Sequence, residues 1–163
     1  MGSIKNGNAS IVPTGGVEYA YKRGGDSDAG VINLAASGNI ALSNGAVLAT
    51  STSGSGNAGA INLASTGSIT LDGGVTLETS TSGAGNAGAI NLLSTERNIA
   101  IRNSTISSTS TSDAETAGQA GNIFIAGQDI NLLDSFFNVI TASNNESNVA
   151  ASITVDGGGG AIM

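Results

Sequence analysis

The chain has 163 residues, with 25 Gly, one Pro, no Cys, no His and no Trp, and a formal net charge of −7. Gly, Ser, Thr and Asn account for 79 residues, yet 39% of the chain is hydrophobic and its mean hydropathy is +0.15, which excludes a disordered polar chain. With 3% aromatic residues a wide globular interior is excluded too. What is left is one thin domain whose core is built from Ile, Leu and Val.

The absence of Cys removes any disulfide framework and any Cys-ligated zinc site. The charge is uneven. Residues 1–23 hold Lys5, Lys22 and Arg23 against Glu18, a balance of +2, and residues 24–163 hold 11 acids against Arg97 and Arg102, a balance of −9. There is no basic stripe of the kind that displaces counterions from phosphate, so nucleic acid is not an expected partner. No window approaches ~18 consecutive apolar residues, so no membrane-spanning segment is expected. Met1-Gly2-Ser3 lacks the charged and apolar regions of a signal peptide.

Taken in chain order, residues 1–23 read as a degenerate first coil or an N-terminal cap, with Ile11, Val12, Val17, Tyr19 and Tyr21 as apolar material. Gly24-Gly25-Asp26-Ser27-Asp28 has the flavour of a calcium-binding glycine–aspartate motif, but it occurs once and lacks the nonapeptide period, so no metal or other cofactor is expected. Residues 24–163 are repeats. The frame reads AGVINLAASGNIAL from 29, AGAINLASTGSITL from 58, AGAINLLSTERNIAI from 87, AGNIFIAGQDINL from 120 and AASITVDGG from 150. The starts lie 29, 29, 33 and 30 residues apart, and the last coil is incomplete. The variation falls in loops, around Thr95 and Glu96 and across 112–119.

Each unit alternates with period two. Ile32/Leu34, Ile61/Leu63, Ile90/Leu92, Ile123/Ile125 and Ile153/Val155 form a first strand, and Ile40/Leu42, Ile69/Leu71, Ile99/Ile101 and Ile130/Leu132 a second. A third, less regular strand carries Leu48, Leu77, Ile106 and the stretch 136–140. Three short strands cannot bury their own apolar side chains, but stacked on the next unit they fill a continuous interior. The spacing therefore predicts an all-β, right-handed parallel β-helix of about five coils, three strands per coil, spanning roughly 24 Å at ~4.8 Å per coil. Asn44-Gly45, Asp72-Gly73-Gly74 and Asn103-Ser104 mark one recurring turn. Gly30, Gly59, Gly88 and Gly121 recur just before the first strand, where a side chain would crowd the neighbouring coil.

Two units, Gly56-Asn57-Ala58-Gly59-Ala60-Ile61-Asn62-Leu63 and Gly85-Asn86-Ala87-Gly88-Ala89-Ile90-Asn91-Leu92, each followed by a second I-x-L or I-x-I pair, carry a family resemblance. With their Asn/Asp-Gly turns and Thr-Ser runs, residues 26–158 resemble the repeats of filamentous-haemagglutinin-type exoproteins, which leave the cell by two-partner secretion. The resemblance implies a long right-handed β-helix at a bacterial surface, serving as an adhesin, a biofilm component or a cytotoxin stalk. It is a resemblance to the shaft, since the family's secretion domain with its N-P-N-G-type motifs is not visible in these residues.

Asn33, Asn62, Asn91 and Phe124, continued by Thr154, form one column between inward residues and so should point outward. Such a face can recognise glycan or a partner fibre, or it can be an amide ladder bonded along the stack. Phe124 is the aromatic available for sugar stacking. Runs of Thr and Ser at 50–53, 79–82 and 109–112 could order water for ice binding, but they slide into Gly-rich turns and an irregular loop, which favours a polar turn or strand edge. Catalysis finds little to use. No Ser has a His to activate it, and Asp72, Glu78, Glu96, Asp129 and Asp134 fall in different columns, unlike the clustered carboxylates of polysaccharide-processing β-helices. The expectation is a non-enzymatic, secreted or surface-exposed segment acting as shaft or adhesion surface for a glycan or cell-surface partner. The alternative is a fibre subunit that stacks head-to-tail through uncapped coils.

Overall fold

The computed structural model describes residues 9–11, 18–23, 26–112, 118–142 and 151–163, with side chains from residue 26 onward. Its elements are all strands, in the order β1 (Ala9–Ile11), β2 (Glu18–Arg23), β3 (Ile32–Ala36), β4 (Ile40–Ser43), β5 (Val47–Thr52), β6 (Ile61–Ser65), β7 (Ile69–Asp72) and β8 (Thr76–Thr81). They continue as β9 (Ile90–Ser94), β10 (Ile99–Arg102), β11 (Thr105–Ser110), β12 (Ile123–Ala126), β13 (Ile130–Leu133), β14 (Phe136–Thr141) and β15 (Ile153–Asp156). Every third strand belongs to the same sheet. Sheet A runs β1-β4-β7-β10-β13, sheet B runs β2-β5-β8-β11-β14 and sheet C runs β3-β6-β9-β12-β15, all pairs being parallel. This is a parallel β-solenoid with three strands per coil.

The register is the one the repeat predicts. Ile32, Ile61, Ile90, Ile123 and Ile153 are successive partners in sheet C, and Ile40, Ile69, Ile99 and Ile130 in sheet A. Because side chains alternate between faces, a slip of one residue would turn each of these columns out into water. Every member of the two columns except Ile153 is buried, and with Leu34, Leu63, Leu92, Ile125, Leu42, Leu71, Ile101, Leu48, Leu77 and Ile106 they form one continuous cluster. Residues 9–11 and 18–23 contribute to the stack, with β1 pairing along β4 and β2 along β5.

The recurring turn has the backbone its residues suggest. Asn44, Asn103 and Asp134 adopt φ of 56°, 47° and 48°, and Gly45, Gly73 and Gly74 lie at 73°, 76° and 86°. The left-handed region costs Asn, Asp and Gly little, and nothing else occupies it here. Turn corners are tied coil to coil by side chains where the strand ladders lapse. Asp28 Oδ1 accepts the Asn57 N–H at 2.7 Å, Asn57 Oδ1 the Asn86 N–H at 2.8 Å, and Asn86 Oδ1 the Gln119 N–H at 2.8 Å. Asp26 accepts the Ser55 hydroxyl at 2.7 Å, so both aspartates of the glycine–aspartate segment serve this stacking. Gly24 and Gly25 of that segment, Pro13, and residues 113–117 of the irregular loop lie outside the described residues.

One expectation is corrected. Most of each Thr and Ser run is strand, not turn, because β5, β8 and β11 take in residues 50–52, 79–81 and 109–110 and send every second hydroxyl into the interior. Thr50, Thr79 and Ser108 are fully buried, as are Thr52, Thr81 and Ser110 to within a few per cent. Each finds a partner. Thr50 Oγ1 donates to the Gly59 carbonyl and Thr79 Oγ1 to the Gly88 carbonyl, both at 2.5 Å, while Ser110 Oγ donates to Gly118 at 2.7 Å. The regular Thr rows that ice binding needs therefore face inward. The outward rows of sheet B are mixed, for example Ala49, Glu78, Ser107 and Asn138.

Gly59, Gly88 and Gly121 pack backbone on backbone. A Cβ at any one would lie inside the carbonyl of its equivalent one coil away, with no side chain there to yield. We expect Gly88→Ala to destabilise the chain by roughly 3 kcal/mol or more in urea unfolding, against changes within about 0.5 kcal/mol for Ser80→Ala on the outer face. The hydroxyl column gives a second test. Thr50→Val strips the Gly59 carbonyl of its donor and should cost about 1–3 kcal/mol. Thr79→Val should cost less, because Ser108 Oγ also donates to the Gly88 carbonyl, at 3.1 Å.

Candidate functional site

The outer face of sheet C is built by the residues between its inward columns. Its central row is Asn33, Asn62, Asn91, Phe124 and Thr154, placed as strand partners on β3, β6, β9, β12 and β15. A parallel row two residues along consists of Ala35, Ala64, Leu93, Ala126 and Asp156. The four sequence-predicted residues are thus brought onto one face, in one line, at strand spacing.

The asparagines are half-buried and bonded to each other. Asn62 Nδ2 donates to Asn33 Oδ1 at 2.7 Å, and Asn91 Nδ2 donates to Asn62 Oδ1 at 2.8 Å. Every amide gives its proton in the same direction, so the ladder has polarity. It stops where Phe124 replaces the next asparagine. Asn91 Oδ1 therefore receives no donor among the described residues and forms an open acceptor beside the ring. Phe124 is 37% exposed, flanked by Asn91 on one strand and Thr154 on the other.

Two further features were not read from the sequence. Leu93 is 40% exposed at a position that holds alanine in the two preceding coils. It stands one strand over and two residues along from Phe124, a diagonal of roughly 8 Å on sheet spacings. The departure from I-N-L-A to I-N-L-L was its only signal. Ala35 and Ala64, having no bulk, leave a shallow trough of about 390 Å³ rimmed by Thr66 and Thr95. The face accordingly offers an amide row, an alanine-floored trough and an apolar step formed by Leu93 and Phe124.

Other candidates stay apart. Asp72 stands beside Arg102 at the end of sheet A strands, Glu78 lies between Ala49 and Ser107 on sheet B, and Asp129 accepts the Ala161 N–H at 3.0 Å. Among the described residues no three acidic side chains come together as a metal site would require. Among the described residues no helix is long and apolar enough to cross a membrane. Comparison with known protein families, curated proteins and solved structures finds no match.

The ladder makes a graded prediction. Asn62→Ala removes two amide bonds and should cost about 1–2 kcal/mol, whereas Asn33→Ala removes one and should cost about half as much, both by urea unfolding. Equal effects would mean that the amides act independently of one another.

Proposed function

We propose that this chain is a non-enzymatic segment of a secreted or surface-exposed, adhesin-like exoprotein, in which the solenoid is the shaft and the outer face of sheet C is the adhesion surface. The support is threefold. The repeats resemble those of filamentous-haemagglutinin-type exoproteins, which also motivates export by two-partner secretion from a bacterial cell. A stack of coils turns length into a rigid rod, the mechanical property a shaft needs. The composition offers no His, and its acids are dispersed.

The observation that carries the adhesion reading is Phe124 with its neighbours. An exposed ring gives the apolar face of a pyranose something to stack on. Asn91 Oδ1 is an acceptor for a sugar hydroxyl on one side, and the Thr154 hydroxyl is available on the other. A glycan is therefore the partner this face suits best, in keeping with a role at a cell or host surface. Screening the purified chain on a glycan array, with Phe124→Ala alongside, tests the reading. We expect a carbohydrate ligand whose binding is lost in Phe124→Ala while unfolding is unchanged. Binding that survives the substitution, or no carbohydrate ligand at all, contradicts it.

A further inference from the structure

The face that carries Phe124 is also the one without charge. Residues 29–36, 58–65, 87–94 and 120–126, which contain β3, β6, β9 and β12, hold no Asp, Glu, Lys or Arg. The row before the asparagines is Val31, Ala60, Ala89 and Asn122, so three outward rows in four successive coils are uncharged. The other two sheets differ. β7 and β10 end in Asp72 and Arg102, and β8 carries Glu78 on its outer side.

The surroundings of this face are acidic. Among the described residues its borders hold Asp26 and Asp28 before β3, Glu96 and Arg97 after β9, and Asp129 after β12, with Asp156 on β15. Arg97 is the single base among these, and Glu96 precedes it in the chain. An anionic ligand would meet no cation on the face and would lose hydration there. It would also approach against the negative field of a chain with net charge −7.

Hydrogen-bonding capacity points the same way. A carboxamide carries two N–H donors and two acceptor lone pairs. Within the ladder Asn62 gives one proton to Asn33 and accepts one from Asn91, which leaves it one donor and one lone pair for a ligand. A sugar hydroxyl both donates and accepts, so it can answer either group and the open Asn91 Oδ1 as well. An ionised carboxylate or sulfate only accepts. The ladder bonds also hold the amides in place, which lowers the cost of ordering them on binding.

We propose that the sheet C face selects an uncharged glycan, a chain of neutral pyranose units laid along the solenoid axis over Asn33, Asn62, Asn91 and Phe124. The inference rests on the adhesion reading of this face and adds the class of sugar and its direction. Direction follows from the repeat. The amides recur at strand spacing, and Asn33 to Phe124 is three spacings, roughly 14 Å at ~4.8 Å each, room for about three pyranose units in line. Leu93 and Phe124 form the apolar end of that track.

A glycan array of matched pairs, each neutral oligosaccharide beside its sialylated, sulfated or uronic-acid counterpart, tests this. We expect Phe124-dependent binding to neutral members, about tenfold or more above their anionic counterparts at low salt. Affinity should rise with length up to about three units. Ala64 is exposed beside the amide row. Ala64→Lys should cut the neutral-to-anionic ratio by roughly tenfold with the circular dichroism unchanged, while Ser80→Lys, the same charge on sheet B, leaves the ratio alone. Three results overturn this inference and leave the adhesion reading standing: anionic members bound through Phe124 as well as neutral ones, a ratio that the folded Ala64→Lys variant does not move, or a monosaccharide bound as tightly as a trisaccharide. The absence of any carbohydrate ligand overturns both, as does binding that Phe124→Ala leaves intact.

Discussion

Everything in this molecule follows from one constraint: each residue must tolerate its own equivalent one coil away, at the ~4.8 Å spacing of hydrogen-bonded strands. Ile and Leu meet that condition inside, where like stacks on like and the columns fill a narrow prism without aromatic bulk. Gly59, Gly88 and Gly121 meet it by removing the side chain altogether, which lets backbone lie on backbone. Asn meets it outside and at the corners, because an amide both donates and accepts and so bonds to a copy of itself. A composition dominated by small polar residues thus becomes a requirement of stacking, not a sign of a weak fold.

The same constraint explains why the interior is not purely apolar. Near one corner the interior is lined by the carbonyls of the packed glycines, and those carbonyls need donors. Thr50, Thr79 and Ser108 supply the proton. Leaving such a carbonyl unbonded would cost about 1–3 kcal/mol. The hydroxyls also help fix where along the strand one coil sits on the next, since an apolar core alone is tolerant of imprecise fit.

Much of this architecture is legible in the residues themselves. Alternating Ile32/Leu34 and Ile40/Leu42, repeated at fixed spacing, define the strands, the inward face and the register together. The turn at Asn44-Gly45 and the role of Gly88 are readable for the same reason, since few residues accept a left-handed backbone or a backbone contact. The inward Thr50 and Thr79 are not, because a hydroxyl in an alternating run reads as outward until its acceptor is known, and that acceptor lies nine residues further along the chain. On the candidate face, Phe124 stands out from its asparagine column. The polarity of the ladder and the open Asn91 acceptor depend on side-chain rotation and so appear only in three dimensions. Leu93 left a trace, one leucine where the pattern has alanine, that gains meaning only through its diagonal to Phe124.

In-register stacking that includes the polar runs is the claim on which the fold and the face both rest. Residue-resolved native-state hydrogen exchange addresses it most directly. If the coils stack as described, amides of the Thr–Ser halves of β5 and β8, at residues 50–52 and 79–81, are protected as strongly as those of the apolar strands β6 and β9. Exchange at loop rates through 50–52 and 79–81, with protection confined to the Ile and Leu segments, would contradict the account.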